Sequence, residues 1–324
     1  MIDRRSILLA GLTMVMAARR ASAQPSRRIA RVGILNYAAA QDARVTEFRD
    51  GLRELGYVEG QNLATTYRWA DGYLDRLPQL AGELVAAKVD VIIAIGPAVW
   101  AAKRATTVIP IVIAFSGDPV GNGVVSNLAR PGGNITGFSY MSTDLAAKRL
   151  ELLAQMLPPR SRVGILYNPD EPATELEMQQ TKAAAGAIPA TLYPLAVRQP
   201  SDLPQAFAQA VRERAGAVIV FTHGFAVLNA RQIIEQAGRS RVPTMYGWRD
   251  FVDEGGLMSY GPNIELMVKK AASYVDRIIK GEKPGDLPVQ QPTKFDLVVN
   301  LKATKTLGIT IPQSVLIRAD QVIQ

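Results

Sequence analysis

The chain has 324 residues, 48% hydrophobic and 20% charged, with 37 Lys+Arg against 29 Asp+Glu for a net charge of +8. That length corresponds to about two domains of ~100–200 residues, and the composition is that of a folded globular protein. Cysteine is absent and His223 is the single histidine, which excludes disulfides, thiolate zinc or iron–sulfur sites, cysteine nucleophiles, a thioether lipid anchor and multi-histidine metal centres.

The first element in chain order is a leader. Asp3-Arg4-Arg5 makes a basic start, and Ser6 to Ala18 is a nearly uncharged apolar run. A membrane-spanning helix needs ~20 such residues, so this run is too short to span. Ala21-Ser22-Ala23 then supplies the small residues of a cleavage site. Together these predict a signal peptide over residues 1–23, the alternative being an uncleaved membrane-anchored helix. Arg4-Arg5-Ser6-Ile7-Leu8 is similar in part to a twin-arginine export signal, with Ile7 and Leu9 departing from its commonest pattern. Without Asp3, Arg4, Arg5, Arg19 and Arg20 the remaining chain carries +5. No basic stripe interleaved with aromatics is present, so no nucleic-acid partner is expected.

The rest alternates short apolar runs with helical patterns. Strands are predicted at Ala30–Leu35, Leu63–Trp69, Val89–Ile95 and Pro110–Phe115, with helices at Thr46–Leu55, Leu77–Ala87 and Ala98–Thr106 between them. The pattern then restarts: Arg31-Val-Gly-Ile-Leu35 has a near copy at Arg162-Val-Gly-Ile-Leu166. After it come a helix at Ala173–Ala185, a strand at Ala190–Val197, a helix at Leu203–Arg214, a strand at Ala217–Phe221, a helix at Ala226–Ala237 and a strand at Val242–Tyr246. Uniformly apolar strands separated by helices imply parallel sheets covered on both faces. The fold class is therefore α/β, with two doubly wound parallel-sheet lobes.

Ligands of such sheets bind beyond the carboxyl ends of the strands. Asn36 and Tyr37 follow the first strand; Tyr37 reads as a ligand-stacking group or as a turn residue. Pro97 and Ala98 sit where a helix begins, with free N–H groups suited to an anion. Ser116 and Asp118 follow the fourth strand; Asp118 reads as a partner for an ammonium or as a turn-former beside Pro119. In the second series, Asn168 and Glu171, then Thr222 and His223, then Tyr246, Trp248 and Arg249 occupy equivalent loops. Tyr246 and Trp248 read equally as packing or stacking residues. Gly121-Asn-Gly123 does not extend to G-x-G-x-x-G, and no Gly-x-Ser-x-Gly elbow exists, so no cofactor is expected and a His223 triad is disfavoured.

Six segments then carry a family resemblance: Arg31–Leu35, Gly117–Gly121, Arg130–Gly137, Val163–Pro169, Glu254–Gly261 and Val298–Gly308. The chain beyond the leader resembles, over essentially all its length, the periplasmic substrate-binding proteins of ABC importers, in the group related to tryptophan- and tyrosine-binding lipoproteins. The resemblance implies a type I periplasmic binding protein fold whose lobes are joined by three hinge segments near Ser139–Thr143, Pro262–Ile264 and Leu287–Pro292. It implies a first lobe of residues 24–139 with 264–287, and a second of 140–263 with 288–324. It implies no enzyme but a monomeric, soluble periplasmic binder that closes over a small molecule and docks on an ABC permease. The ligand expected is an amino acid, an aromatic acid or another small carboxylate. Asp118 or Glu171 would hold a cationic group, and helix N-termini after Gly96 and Asn168 an anionic one. Thr222-His223 stands where relatives commonly carry Thr-Asp, which removes one amine-binding carboxylate. Two other classes are a hydrolase using Ser139 or Ser116 with His223, and a ligand-sensing ectodomain.

Overall fold

The computed structural model describes residues 29–40, 42–186 and 190–324. The expected leader, residues 1–23, lies outside them.

The first sheet is built from β1 (Ala30–Asn36), β2 (Leu63–Trp69), β3 (Val91–Ile95), β4 (Ile111–Ser116) and β5 (Ile135–Ser139), in the order β2-β1-β3-β4-β5. All its pairs are parallel. Every residue of β3, VIIAI, is buried, as a strand covered on both faces requires. α1 (Ala43–Glu54) buries Val45, Phe48 and Leu52, one helical stripe. It starts three residues before the predicted Thr46 because the Asp42 side chain accepts from the Arg44 N–H and caps it. α2 (Leu77–Ala86) and α3 (Ala98–Ala105) cover the opposite face.

The chain crosses to a second sheet after β5. α4 (Ser142–Ala154), β6 (Ser161–Tyr167), α5 (Thr174–Ala185), β7 (Ala190–Ala196), α6 (Leu203–Arg212) and β8 (Ala215–Val220) follow the predicted alternation. The predicted helix Ala226–Ala237 is two, α7 (Gly224–Leu228) and α8 (Ala230–Ser240). The break falls at Asn229, whose Nδ2 donates back to the Phe225 carbonyl. Then come β9 (Thr244–Tyr246), α9 (Asp250–Asp253) and β10 (Met258–Gly261).

A second crossing leads to α10 (Ile264–Ile279), capped by the Asn263 side chain. Its apolar stripe returns to the first lobe and packs on α1 and β4. Residues through Gln290 still run along β5: Gln290 N–H donates to Gly137 O and Ser139 N–H to Gln290 O. The third crossing therefore follows Gln290. β11 (Asp296–Asn300), α11 (Leu301–Leu307), α12 (Gln313–Leu316) and β12 (Gln321–Ile323) complete the second lobe. Its order is β12-β11-β10-β9-β8-β6-β7, parallel except for β10 with β11. The antiparallel pair arises because the chain reaches β11 from the other lobe rather than through a helix crossover.

Gly137 has φ +139°, and a Cβ there would collide with the backbone of Ile113 on the neighbouring strand. Only glycine fits a strand bent in this way, next to the irregular register where β4 and β5 lead into the first crossing. No described helix is long and apolar enough to cross a membrane.

Candidate functional site

Both sheets point their carboxyl ends at a shared cleft, whose enclosed cavity is about 50 Å³. Of the predicted contacts, Asn36, Tyr37, Pro97, Ser116, Glu171, Thr222 and His223 line it. The first four come from the first lobe and the rest from the second, so the two β/α series meet at their loops. The lobes touch at Gly224, whose missing side chain admits the Tyr37 ring and Pro97.

Five predicted contacts do not line the cleft. Ala98 is buried as the first residue of α3. Asp118 is spent on its own loop: Oδ1 accepts from Gly121 N–H at 2.8 Å and Oδ2 from the Thr143 hydroxyl at 3.2 Å. It ties the loop to α4 at the first crossing and is not available to a ligand ammonium in the cleft. Asn168 shapes a turn by accepting from the Asp170 N–H. Tyr246 is fully buried, stacked on Phe251 at 4.7 Å. Arg249 is paired with Asp253 one turn on, at 2.9 Å.

The sequence reading left out Arg44, Phe115 and Tyr140, which with Trp248 give the cleft its character. Phe115 and Tyr140 meet Trp248 edge-on at 5.3 and 5.5 Å, and all three are at most 5% exposed. Edge-to-face rings at these separations attract one another. The Arg44 guanidinium carbon lies 5.7 Å from the Trp248 ring centre and 5.9 Å from that of Phe115, within cation–π range. The Arg44 Nε donates to Asp42 Oδ1 at 2.8 Å. Trp248 Nε1 and Ser116 Oγ are closed off from solvent and have no hydrogen-bond partner among the described residues. Buried polar groups normally have one. Trp248 was visible as a loop aromatic, but nothing in the sequence separated it from Tyr246 two positions earlier.

Behind the cleft wall lies a buried charge network. His223 Nε2 is 2.9 Å from Glu177 Oε2, and Glu177 Oε1 is 3.4 Å from Arg149 Nη1. The Tyr140 hydroxyl meets His223 Nδ1 at 3.2 Å. Burial works against a charged His223, but Glu177 and Glu171 outweigh it and raise the imidazole above its ordinary value of 6.5. Burial alone would raise Glu177, yet His223 and then Arg149 hold it below the usual carboxylate range. Burial raises Glu171, offset in part by His223 and by the Phe225 and Gly224 N–H groups that its carboxylate accepts at 2.6 and 2.9 Å. His223 Nδ1 thus meets the Tyr140 hydroxyl, and Nε2 faces the Glu177 carboxylate as an ion pair. Ser139 Oγ instead donates to the Gly117 carbonyl, and Ser116 has no partner among the described residues, so neither of these two serines is coupled to the imidazole as a triad requires.

The raised His223 gives a signed prediction. Its protonated form favours folding below about pH 6.5, and that contribution is lost as pH rises through the raised value. Glu177, being lowered, contributes above about pH 4.5 and loses its contribution on acidification. The stability difference between wild type and His223→Gln, read from urea melts, is expected to peak between about pH 5 and 6.5 and to shrink in alkali. An equal difference at pH 6 and pH 9 would show that His223 is not held protonated.

Comparison with known proteins places this geometry. A tyrosine-binding protein of Clostridioides difficile (strain R20291) is 27% identical over 264 residues, 81% of this chain and 75% of that one. A conserved domain protein from Vibrio cholerae is similar in structure with a TM-score of 0.85 at 31% identity, over 91% of this chain and 100% of the other. An ABC domain from Streptococcus pneumonia, solved in complex with L-Trp, gives a TM-score of 0.81 at 27% identity, over 90% and 100%. The fold is the two-lobed, type I periplasmic binding protein fold. Residues 31–323 match the family model described as ABC transporter substrate binding protein, and the chain belongs to that family.

Proposed function

We propose that this protein is the extracytoplasmic solute-binding component of an ABC importer, capturing a small molecule that carries an aromatic ring and a carboxylate. Aromatic amino acids and aromatic acids both belong to that class. The observation that carries the reading is the cleft itself: a cage of Phe115, Tyr140 and Trp248 at the strand ends of both lobes, holding two buried polar groups without protein partners. The relatives that bind tyrosine and L-Trp support an aromatic ligand. In this reading the leader directs export to the periplasm, where the protein acts as a soluble monomer. The three inter-lobe crossings act as a hinge, ligand contacts from both lobes favour the closed form, and that form docks on a permease. Seven of the residues named from sequence would contact the ligand, together with Arg44 and the aromatic cage. His223 serves as a positioning group for Tyr140 rather than as a base, which supports binding over hydrolysis.

A thermal-shift screen over amino acids, aromatic acids, small carboxylates and sugars tests this. A ligand bound only by the folded state at about 100 times its Kd adds about 2.7 kcal/mol and raises the midpoint by several degrees. Trp248→Ala, which removes one wall of the cage, is expected to weaken binding by roughly tenfold. No shift with any solute, or a shift that Trp248→Ala leaves unchanged, would refute capture at this cleft.

A further inference from the structure

The proposed function leaves open how a solute in the cleft acts on the crossings between the lobes. Resting on that reading, we infer that Tyr140 is the residue that couples the two: its ring meets the solute, and its hydroxyl fastens the second lobe to the first in the closed form.

The first support is where Tyr140 is fixed. It follows β5 directly, at the first crossing. Its N–H donates to the Ser116 carbonyl at 2.7 Å, and the Ser142 N–H donates to the Gly117 carbonyl at 3.0 Å. Both acceptors belong to the first lobe, so the Tyr140 backbone moves with that lobe. Met141 between them has φ +57°, a left-handed conformation that a bulky residue holds only when its surroundings impose it. The chain therefore turns into α4 at a defined point, directly after Tyr140.

The second support is what the side chain reaches. Tyr140 lines the cleft, and its ring stands edge-on to Trp248 of the second lobe at 5.5 Å. Its hydroxyl lies 3.2 Å from His223 Nδ1 and 3.5 Å from the Thr222 carbonyl, both of the second lobe. Burial raises the phenol well above its ordinary value, so the hydroxyl keeps its proton. One side chain thus joins the backbone of the first lobe, the aromatic cage and the second lobe.

The third support lies behind His223. Its Nε2 faces Glu177, Glu177 faces Arg149, and the Arg149 Nε donates to the Tyr260 carbonyl near the end of β10, where the second crossing begins. Arg149 itself stands on α4, the helix that the first crossing enters. The hydroxyl contact is therefore backed by a buried network that reaches two of the three crossings. A phenylalanine at position 140 would keep the ring in the cage and lose only this link.

His223 is the single histidine, so its two ring nitrogens give unambiguous 15N NMR signals in the untagged protein. The probe is whichever of tryptophan, tyrosine, phenylalanine, 4-hydroxybenzoate and indole-3-acetate raises the unfolding midpoint most. In wild type the bound probe is expected to move the Nδ1 signal as the Tyr140 hydroxyl closes on it. In Tyr140→Phe that response is expected to vanish and affinity, read by isothermal titration, to fall roughly fivefold, the size of one lost hydrogen bond. The midpoint without probe is expected to stay close to wild type. Unchanged affinity, an Nδ1 signal that the bound probe does not move in wild type, or one that moves equally in Tyr140→Phe would overturn the inference while leaving solute capture intact. So would a midpoint lowered as much without probe as with it, because the hydroxyl would then serve the fold and not closure. Failure of every probe to raise the midpoint would overturn the proposed function, and this inference with it.

Discussion

Gly224→Val is expected to abolish ligand capture, weakening affinity at least ~100-fold, a loss of about 2.7 kcal/mol, while leaving the ligand-free unfolding midpoint close to wild type. Gly224 opens α7 on the second lobe, and a Cβ built there would lie 2.6 Å from Tyr37 Cε1 and 3.0 Å from Pro97 Cγ on the first. Cβ atoms do not approach other atoms that closely, and the Tyr37 ring is buried. Inside one core such overpacking costs about 1–3 kcal/mol because nothing can move away. Here the clash lies between lobes joined by three crossings. In the proposed hinge mechanism, opening relieves it, so the cost falls on the closed form alone and binding is weakened through the population of that form. Gly224→Ala is expected to give a smaller loss, since it lacks the two added methyl groups. Wild-type affinity in the valine variant would show that ligand is held without this contact between the lobes. A large fall in ligand-free stability would show that the two lobes do not separate freely.

The second large effect belongs to the charge network. Arg149→Met is expected to destabilise the fold by about 3–5 kcal/mol, the usual cost of leaving one member of a buried ion pair unmatched. At ~2–4 °C per kcal/mol for a chain of this size, the midpoint falls by roughly 10 °C. Arg149 is 2% exposed; its Nε donates to the Tyr260 carbonyl at 2.9 Å and its Nη1 faces Glu177. Methionine conserves much of the apolar stem but strands a Glu177 that then has His223 alone. Adding Glu177→Gln removes the stranded charge, so the double variant is expected to recover a measurable part of the loss. Guanidinium melts of the four proteins give the coupling directly. A coupling below about 0.5 kcal/mol would mean that Arg149 and Glu177 act as separate packing residues.

The network also shows why part of the site could not be read from sequence. Arg149 and Glu177 each occur within an amphipathic helix, where a charged residue ordinarily marks the solvated face. What buries them is the packing of α4 against α5 and the placement of His223 from a loop 46 residues beyond Glu177. Asp118 was misplaced for a related reason. A loop at a strand end can turn its carboxylate toward the ligand or back into its own turn, and Asp-Pro followed by Gly favours the turn. Tyr246 and Trp248 differ in the same way: one ends a strand with its ring stacked on Phe251, and the other, two residues later, has left the strand and meets Phe115 across the cleft.

Local periodicity was enough for the β/α alternation, because uniformly apolar runs flanked by amphipathic helices have few other ways to bury themselves. The near copy of Arg31–Leu35 at Arg162–Leu166 marked the start of a second lobe, and seven of the residues named by the strand-end rule line the cleft. Zero cysteine and one histidine had already confined the chemistry to carboxylates, hydroxyls, backbone groups, aromatic rings and a single imidazole. Only the tertiary structure decided which of those groups remain free. Asp42 is bonded within its own segment, to Asn36 and Arg44, whereas Glu171, Glu177 and Asp118 find partners farther along the chain. Among the described residues, Arg44, Ser116 and Trp248 keep polar atoms without a partner, a result set by how two lobes meet and not by any spacing along the chain.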